Sequence, residues 1–331
     1  MLRIATFNIE NLDEASDDRN PSLADRVPTL QHALKRIDAD ILCLQEVHGQ
    51  ELPEHTLDNP KRSLSALDAV IAGTRYESYK RAHTVTSDNV AYDKRNLVVL
   101  SRFPIVSQKQ YRNDKIEDLK YRKVTAKPIE GEAKDIGWER PIQHVTVDTG
   151  NNQPLHLINL HLKSRLSSNI KGQKDGFEWK SAAGWAEGYF LSSLKRVGQA
   201  LETRVLLDEI FANEPEARVV VCGDFNSEPG EVPVEAICGR VENTNNPELR
   251  HTVLVPCSKG IPESVRYSHL HHGEGNLLDH MMLSQSLLSY FRKAAIFNEN
   301  LHDESLPFTF DNKYPESDHA PFVAEFTDLD A

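Results

Sequence analysis

Asp224 and Asn226 stand two residues apart in VVVCGDFNSEP, residues 219–229. On an extended chain that spacing puts both side chains on one side. A carboxylate and a carboxamide are then offered together, where the unalternating run of Val219, Val220 and Val221 stops. Such a β-branched run suits a strand covered on both faces. Gly223 allows a close backbone approach, and residues 227–230 read as a turn. A capped turn uses the same residue types, so this stretch alone does not choose between turn and site.

The pattern recurs along the chain. Apolar strand-like runs end on Asn8 in TFNIENL, on Glu46 in CLQEV, and on Asn159 and His161 in NLHLKS. LLDHMML carries Asp279 and His280 among apolar residues, and SDHAPF sets Asp318 and His319 before a last apolar run. With GDFN this makes six endings. Together they point to strand ends converging on a single site, where sheet-based α/β proteins place function.

These residue types suit metal-assisted cleavage of a phosphate ester. A hard divalent cation needs oxygen ligands, and magnesium commonly takes one or two carboxylates plus water and substrate phosphate. Glu46, Asp318 and the amide oxygen of Asn8 are the expected metal ligands. The cation would polarise a phosphoryl oxygen, while Asp224 with Asn226 would orient or deprotonate the attacking water. His319 would contact the phosphate or shuttle a proton, with Asp279 fixing its tautomer and favouring its charged form. His280, next to Asp279, falls on the opposite sheet face and reads as structural. His161, a lone histidine before Leu162 and Lys163, reads the same way by itself. The triplet His269, His271 and His272 reads as a solvated loop, because no matching ligand set accompanies it.

The elements that must position these groups alternate between strand and helix. Strands are expected at residues 3–8, 40–47, 96–101, 143–147, 154–160, 219–224 and 321–326, with an apolar segment at 277–283. Leu30, Leu34 and Ile37 give a helix ending near Asp38, and Leu64, Leu67, Val70 and Ile71 give another. The strongest amphipathic helix runs through Leu191, Leu194, Leu201 and Val205 to Ile210. Residues 114–140 and 166–188 read as long loops, which in a compact domain are often functional. With no flexible linker and no repeat, the chain reads as a single α/β domain over residues 1–331.

Composition sets the outer limits. Of 331 residues, 39% are hydrophobic and 27% charged, an ordinary globular balance. The net charge of -12 repels polyanions at long range and argues against a protein that coats nucleic acid. It leaves room for a nuclease with a local basic groove or a bound cation. MLRIATFNIENL turns polar too soon for a signal core, and no run is apolar enough to span a membrane. Cys43, Cys222, Cys238 and Cys257 have no zinc-type spacing. A reduced, cytoplasmic setting is expected, without stable membrane association or an obligate protein partner.

TFNIENL, CLQEV, NLVVLSRFPI, NLHLKS, GDFNSEP, LLDHMMLS and SDHAPF, in that order, resemble the motifs of the endonuclease/exonuclease/phosphatase superfamily, which includes the deoxyribonuclease I-like nucleases. The resemblance spans nearly the whole chain. It implies a four-layer α/β sandwich, two mixed β-sheets packed face to face with helices outside. It also implies hydrolysis of phosphodiesters or phosphomonoesters with Mg2+ or Mn2+. Matched motif by motif, Asn8 and Glu46 fall on the metal-site positions, and Asp224 and Asn226 on the water-activating and phosphate-orienting positions. Asp279 falls on the carboxylate that pairs with the catalytic histidine, here His319, and Asp318 on a metal- or water-coordinating aspartate. His161 matches a histidine of some branches that assists the leaving group. A catalytic tyrosine of some branches would be Tyr92 or Tyr111.

The motifs do not name a substrate, because one fold hosts many functions. HLKS, a long insert and YSHLHHGEGNLLDH look most like bacterial nuclease-like members. Lys109, Arg112, Lys115, Lys120, Arg122, Lys123 and Lys127 surround Tyr111 and Tyr121; Lys163, Arg165, Lys171, Lys174 and Lys180 lie among Phe177, Trp179 and Trp185. Basic groups with aromatics suit a groove that tracks a nucleic-acid strand. The expected function is a metal-dependent nuclease acting on DNA or RNA. The alternative is a phosphatase or phosphodiesterase on inositol phosphates, phospholipid headgroups or nucleotides.

Overall fold

The structure, a computed structural model, describes residues 1–15, 21–150, 153–306 and 314–329. Its principal strands, in chain order, are β1 (Leu2–Leu12), β2 (Ile41–Val47), β3 (Lys80–His83), β4 (Asn96–Ser101), β5 (Ile105–Tyr111), β6 (Ile142–Val147), β7 (Leu155–His161), β8 (Arg218–Asp224), β9 (Val255–Pro256), β10 (Asp279–Leu283), β11 (Phe291–Ile296) and β12 (Phe322–Phe326). The α-helices are α1 (Leu23–Ile37), α2 (Ser65–Ile71), α3 (Ala182–Asn213) and α4 (Val232–Cys238).

The strands make two six-stranded sheets, ordered β11-β12-β1-β2-β4-β3 and β9-β10-β8-β7-β6-β5. Each sheet has one parallel pair at its centre, β1 with β2 and β7 with β8, and antiparallel neighbours outside it. Parallel strands are covered on both faces, and this explains the continuous apolar runs. Leu2, Ile4, Ile41 and Cys43 of the first sheet meet Leu155, Leu157, Val220 and Cys222 of the second in a shared core. Alternate residues of the first sheet, Ala5, Phe7, Leu42 and Leu44, pack outward against Leu30, Leu34 and Ile37 of α1 and Leu67 and Val70 of α2. Ile158, Val219 and Val221 of the second sheet pack outward against Leu206, Leu207 and Phe211 of α3 and Val234 and Ile237 of α4. Helix, sheet, sheet, helix are thus the four layers. Among the described residues no helix is long and apolar enough to cross a membrane.

Local chemistry starts and stops the helices. Ser22 caps α1 by accepting from the Asp25 N–H, and Asp38 ends it in the left-handed region. Ser181 caps α3 by accepting from the Gly184 N–H, so the helix begins inside the segment expected to be a loop. Its buried stripe is also displaced from the expected one: Leu191, Leu206, Leu207 and Ile210 are buried, whereas Leu201 is 49% exposed. Glu187, Arg196, Gln199 and Glu202 share the buried face; Glu187, Gln199 and Glu202 anchor the irregular segment 114–140, and Arg196 the chain just after β7. Glu187 accepts from the Thr125 N–H at 2.9 Å, and Glu202 from the Asp114 N–H at 2.7 Å. Leucine periodicity alone misplaces the face because its partners here are polar. Residues 114–140 also contain a short hairpin, Leu119–Tyr121 with Lys134–Ile136.

Candidate active site

Asn8 and Glu46 lie at the C-terminal ends of the parallel strands of one sheet, and His161 and Asp224 at those of the other. Asp279 opens β10 directly opposite Asp224. His319 lies just before β12, which pairs with β1. One rim of the sandwich therefore gathers residues from six distant parts of the chain.

Strand alternation points Asn8, His161, Asp224 and Asp279 into the space between the sheets, in phase with Ile4, Leu157, Cys222 and Met281. It would point Glu46 outward with Leu42 and Leu44. A β-bulge prevents this. The register slips between Leu44 and Val47 against β4, and Glu46 adopts φ 63°, which turns its carboxylate to the rim. The facing stretch of β1 slips between Asn8 and Leu12, with Glu10 at φ 51° and Asn11 at φ 40°. The Asn11 N–H then donates to Glu46 Oε2 at 2.9 Å. Non-glycine residues held at positive φ cost energy and concentrate where geometry is functional.

Asp224 occupies the centre of the rim. Its Oδ2 accepts from the Asn8 amide at 3.1 Å and the Asn226 amide at 2.9 Å, and its Oδ1 from the Asn226 N–H at 2.8 Å. His161 Nε2 lies 3.4 Å from both Asp224 Oδ2 and Glu46 Oε1. Across from them, His319 Nδ1 is 2.6 Å from Asp279 Oδ2, while its Nε2 is 4.0 Å from both Asp224 and Asp318. Beneath the rim a buried amide network joins the sheets. Gln45 Nε2 donates to Asn159 Oδ1 at 2.6 Å and Thr6 Oγ1 at 3.0 Å, and Asn159 Nδ2 to Gln143 Oε1 at 3.1 Å. Asn159 thus serves the joint between sheets rather than the rim.

Burial and crowding of like charges set the electrostatics. Burial pushes the Asp224 carboxyl up to about 6, with the His319 charge pulling against it and Asp279 and Glu46 adding to it. Asp318 is pushed up to about 7, again by burial first. Burial and then Asp318 push Glu10 up to about 8. Burial opposes charge on His319, but Asp279, Asp224 and Asp318 outweigh it and hold the imidazole well above its ordinary range. His161 goes the other way: burial, then Arg140 and Arg95, hold it well below. Two histidines of opposite protonation tendency therefore flank Asp224.

Excess carboxylates in one buried corner are a set that a cation would satisfy. Glu10, Glu46 and Asp318 offer only hard oxygens, and Asp318 Oδ1 is buried with no hydrogen-bond partner. These residues fit a divalent ion such as magnesium. The Asn8 carboxamide oxygen already accepts from the Glu10 N–H at 3.0 Å, so Asn8 also braces the backbone that carries Glu10.

The chain matches the Endonuclease/Exonuclease/phosphatase family over residues 5–319, a span that contains every residue of the rim. It belongs to that family. Three solved structures have similar folds. The 3′ phosphatase NExo from Neisseria, bound to product DNA hairpin, has a TM-score of 0.53 at 15% identity, covering 98% of this chain and 99% of its own. Truncated TDP2 from Caenorhabditis elegans has 0.54 at 17%, covering 98% and 97%. The mannosyl-6-phosphatase from Bacteroides thetaiotaomicron has 0.59 at 14%, covering 99% and 100%. No curated protein matches the chain by sequence. Members of this family are phosphoesterases that generally depend on a divalent metal, and this chain is one of them by fold and family.

All the residues singled out from the endonuclease/exonuclease/phosphatase motifs, Asn8, Glu46, His161, Asp224, Asn226, Asp279, Asp318 and His319, come together at the rim. His280 does point away: it is buried against Phe225 on the helix side, with Nε2 2.7 Å from the Ser227 carbonyl. Tyr111 packs on the helix-side core, and Tyr92 lies under the Arg112 guanidinium. Glu10 was missed, although its place two residues after Asn8 is the same signal that selected Asn226. The histidine triplet needs correction. His269 is 8% exposed and hydrogen-bonds Glu304 through Nε2 at 3.0 Å, so it is no solvated loop residue. The acids beside it come from residues 304 and 318, too far along the chain to be seen as a spacing.

Proposed function

We propose that this phosphoesterase is a divalent-metal-dependent phosphodiesterase, a nuclease acting on DNA or RNA by in-line attack of water. The observation that carries the reading is Asp224, held by the amides of Asn8 and Asn226, with the His319–Asp279 pair 4.0 Å across from it. A carboxyl near 6 is a competent base at neutral pH. Asp224 would take the proton of the attacking water, and Asn226 and Asn8 would aim its carboxylate. His319, charged and fixed by Asp279, would neutralise a phosphoryl oxygen. His161, held neutral beside Glu46, would orient the group that leaves. Glu10, Glu46 and Asp318 would hold Mg2+ or Mn2+, which when bound supplies polarisation of the phosphoryl group.

The polymer substrate is supported by the segment after His161. Arg165 holds that segment to the Asn226 carbonyl and to Glu228, each at 3.3 Å. Trp185 and Tyr189, stacked with ring centres 5.4 Å apart, are 47% and 42% exposed. An exposed aromatic stack suits unpaired bases. The net charge of -12 favours a second reading, a phosphatase on small phosphate esters. A cytoplasmic setting suits four cysteines that are all free and buried.

The test is a panel of duplex DNA, single-stranded DNA, RNA, an abasic duplex and inositol phosphates, each with Mg2+, Mn2+ or chelator. Chelator-sensitive cleavage of a polymer supports the nuclease. Release of phosphate from small esters with every polymer intact selects the second reading.

A further inference from the structure

A hairpin of His269–His271 with Glu274–Asn276 folds against the rim. Backbone contacts fix it there. His269 forms an antiparallel bridge with His319, and the Ala320 N–H donates to the Ser268 carbonyl at 2.7 Å. The segment carrying Glu304 is clamped to the same hairpin. The Glu304 N–H donates to the Leu270 carbonyl at 2.9 Å, and Asp303 accepts from the His272 N–H at 3.0 Å and the Gly273 N–H at 2.6 Å.

These clamps bring His269, Glu304 and Asp318 to one point and set His271 beside Glu304. Glu304 Oε2 lies 3.0 Å from His269 Nε2 and 3.2 Å from His271 Nδ1. Ligand atoms of His269, Glu304 and Asp318 all lie within 4.8 Å of one another. The His269 side chain is 10% exposed. Its Nδ1 and the Oδ1 of Asp318 are buried without hydrogen-bond partners. Buried polar atoms are nearly always paired, and orphans in one cluster point to a ligand.

We propose that His269, His271, Glu304 and Asp318 form a second cation site, selective for a borderline divalent ion, Mn2+ or Zn2+, over Mg2+. Two imidazoles with two carboxylates suit transition metals, whereas magnesium prefers oxygen and keeps its water. The site shares Asp318 with the all-oxygen corner of Glu10 and Glu46 and lies next to His319, so its ion adds positive charge on the imidazole side of the rim.

The test counts bound metal and is independent of any phosphoester cleavage. The full chain is stripped with chelator, desalted, and titrated with Mn2+ alone while free Mn2+ is read by electron paramagnetic resonance. Wild type is expected to bind two ions. Glu304→Gln should keep one, and Glu46→Gln should keep the other, the one Zn2+ displaces and excess Mg2+ does not. His271→Gln, at a half-exposed position that leaves the fold intact, should weaken that ion by at least about tenfold. X-ray absorption of the Zn2+-loaded chain should show imidazole nitrogen. A single Mn2+ in wild type, unchanged stoichiometry in Glu304→Gln, or zinc with oxygen neighbours only would overturn the proposal.

Discussion

His319 Nδ1 sits 2.6 Å from Asp279 Oδ2, and Asp279 is wholly buried where β10 lies opposite Asp224. The pairing fixes the tautomer, since Nδ1 must carry the proton and Nε2 faces Asp224 and Asp318. Asp279→Asn should leave the fold intact and lower kcat by about 10³–10⁴-fold, as loss of a buried orienting carboxylate does in acyl transfer. The basic limb of the pH–rate profile should also move down, because His319 loses the charge that most raises it. An unchanged basic limb would place His319 outside the reaction.

Gly223 has φ 131°, and a Cβ there would meet the Leu160 carbonyl oxygen at 2.0 Å. No flexible side chain can yield, because the obstacle is the neighbouring strand's backbone. Gly223→Ala should destabilise the chain by about 2–4 kcal/mol through strain and overpacking. Urea unfolding measures this; a loss under about 1 kcal/mol would mean the rim accommodates the methyl group.

Glu10, Asp318 and Asp224 are raised to about 8, 7 and 6, chiefly by burial, from 4.5, 3.8 and 3.8. The folded chain therefore holds these protons more tightly than the unfolded chain. Their contribution to stability is fully present below the unfolded values, near pH 4, and is lost as pH rises through about 6 to 8. His161, held low, runs in the opposite sense. Comparison with a variant isolates the acids: in chelator, Tm of Glu10→Gln should fall less than that of wild type between pH 5 and 8. Parallel curves would remove Glu10 from the cluster.

Metal should reverse the same effect. Mg2+ should raise the wild-type Tm most at pH 8, where the carboxylates are free to bind it. Glu10→Gln should bind Mg2+ about 10–100-fold more weakly by calorimetry. Equal affinity would confine the ion to Glu46 and Asp318.

Trp185 and Tyr189 stack with 5.4 Å between ring centres on the outer side of α3. If bases stack there, Trp185→Ala should raise KM for single-stranded DNA by about tenfold with kcat unchanged, and leave a small phosphodiester unaffected. Equal loss on both substrates would count against a base platform.

The sequence by itself determined the inner strands of both sheets, the order of the motifs and most of the rim, but not the edge strands β3, β5, β9 and β11. Val219–Val221 had to be covered on both faces, and strand periodicity sent His280 away from Asp279, whereas Asp224 and Asn226 meet through a turn: β8 ends at Asp224, and Asn226 at φ 49° donates back to it. Such features depend on neighbours a few residues apart, where backbone geometry is fixed by chain chemistry. The tertiary structure decided what distant segments share. Only the β-bulge with Glu46 at φ 63° turns that carboxylate against its expected face. Only the packing of α3 against polar segments moves its buried stripe off Leu201. Only the clamp between the hairpin and residues 303–304 gives the histidines an acid partner. Each depends on contacts between residues far apart in the chain, and their energies leave no period in the sequence.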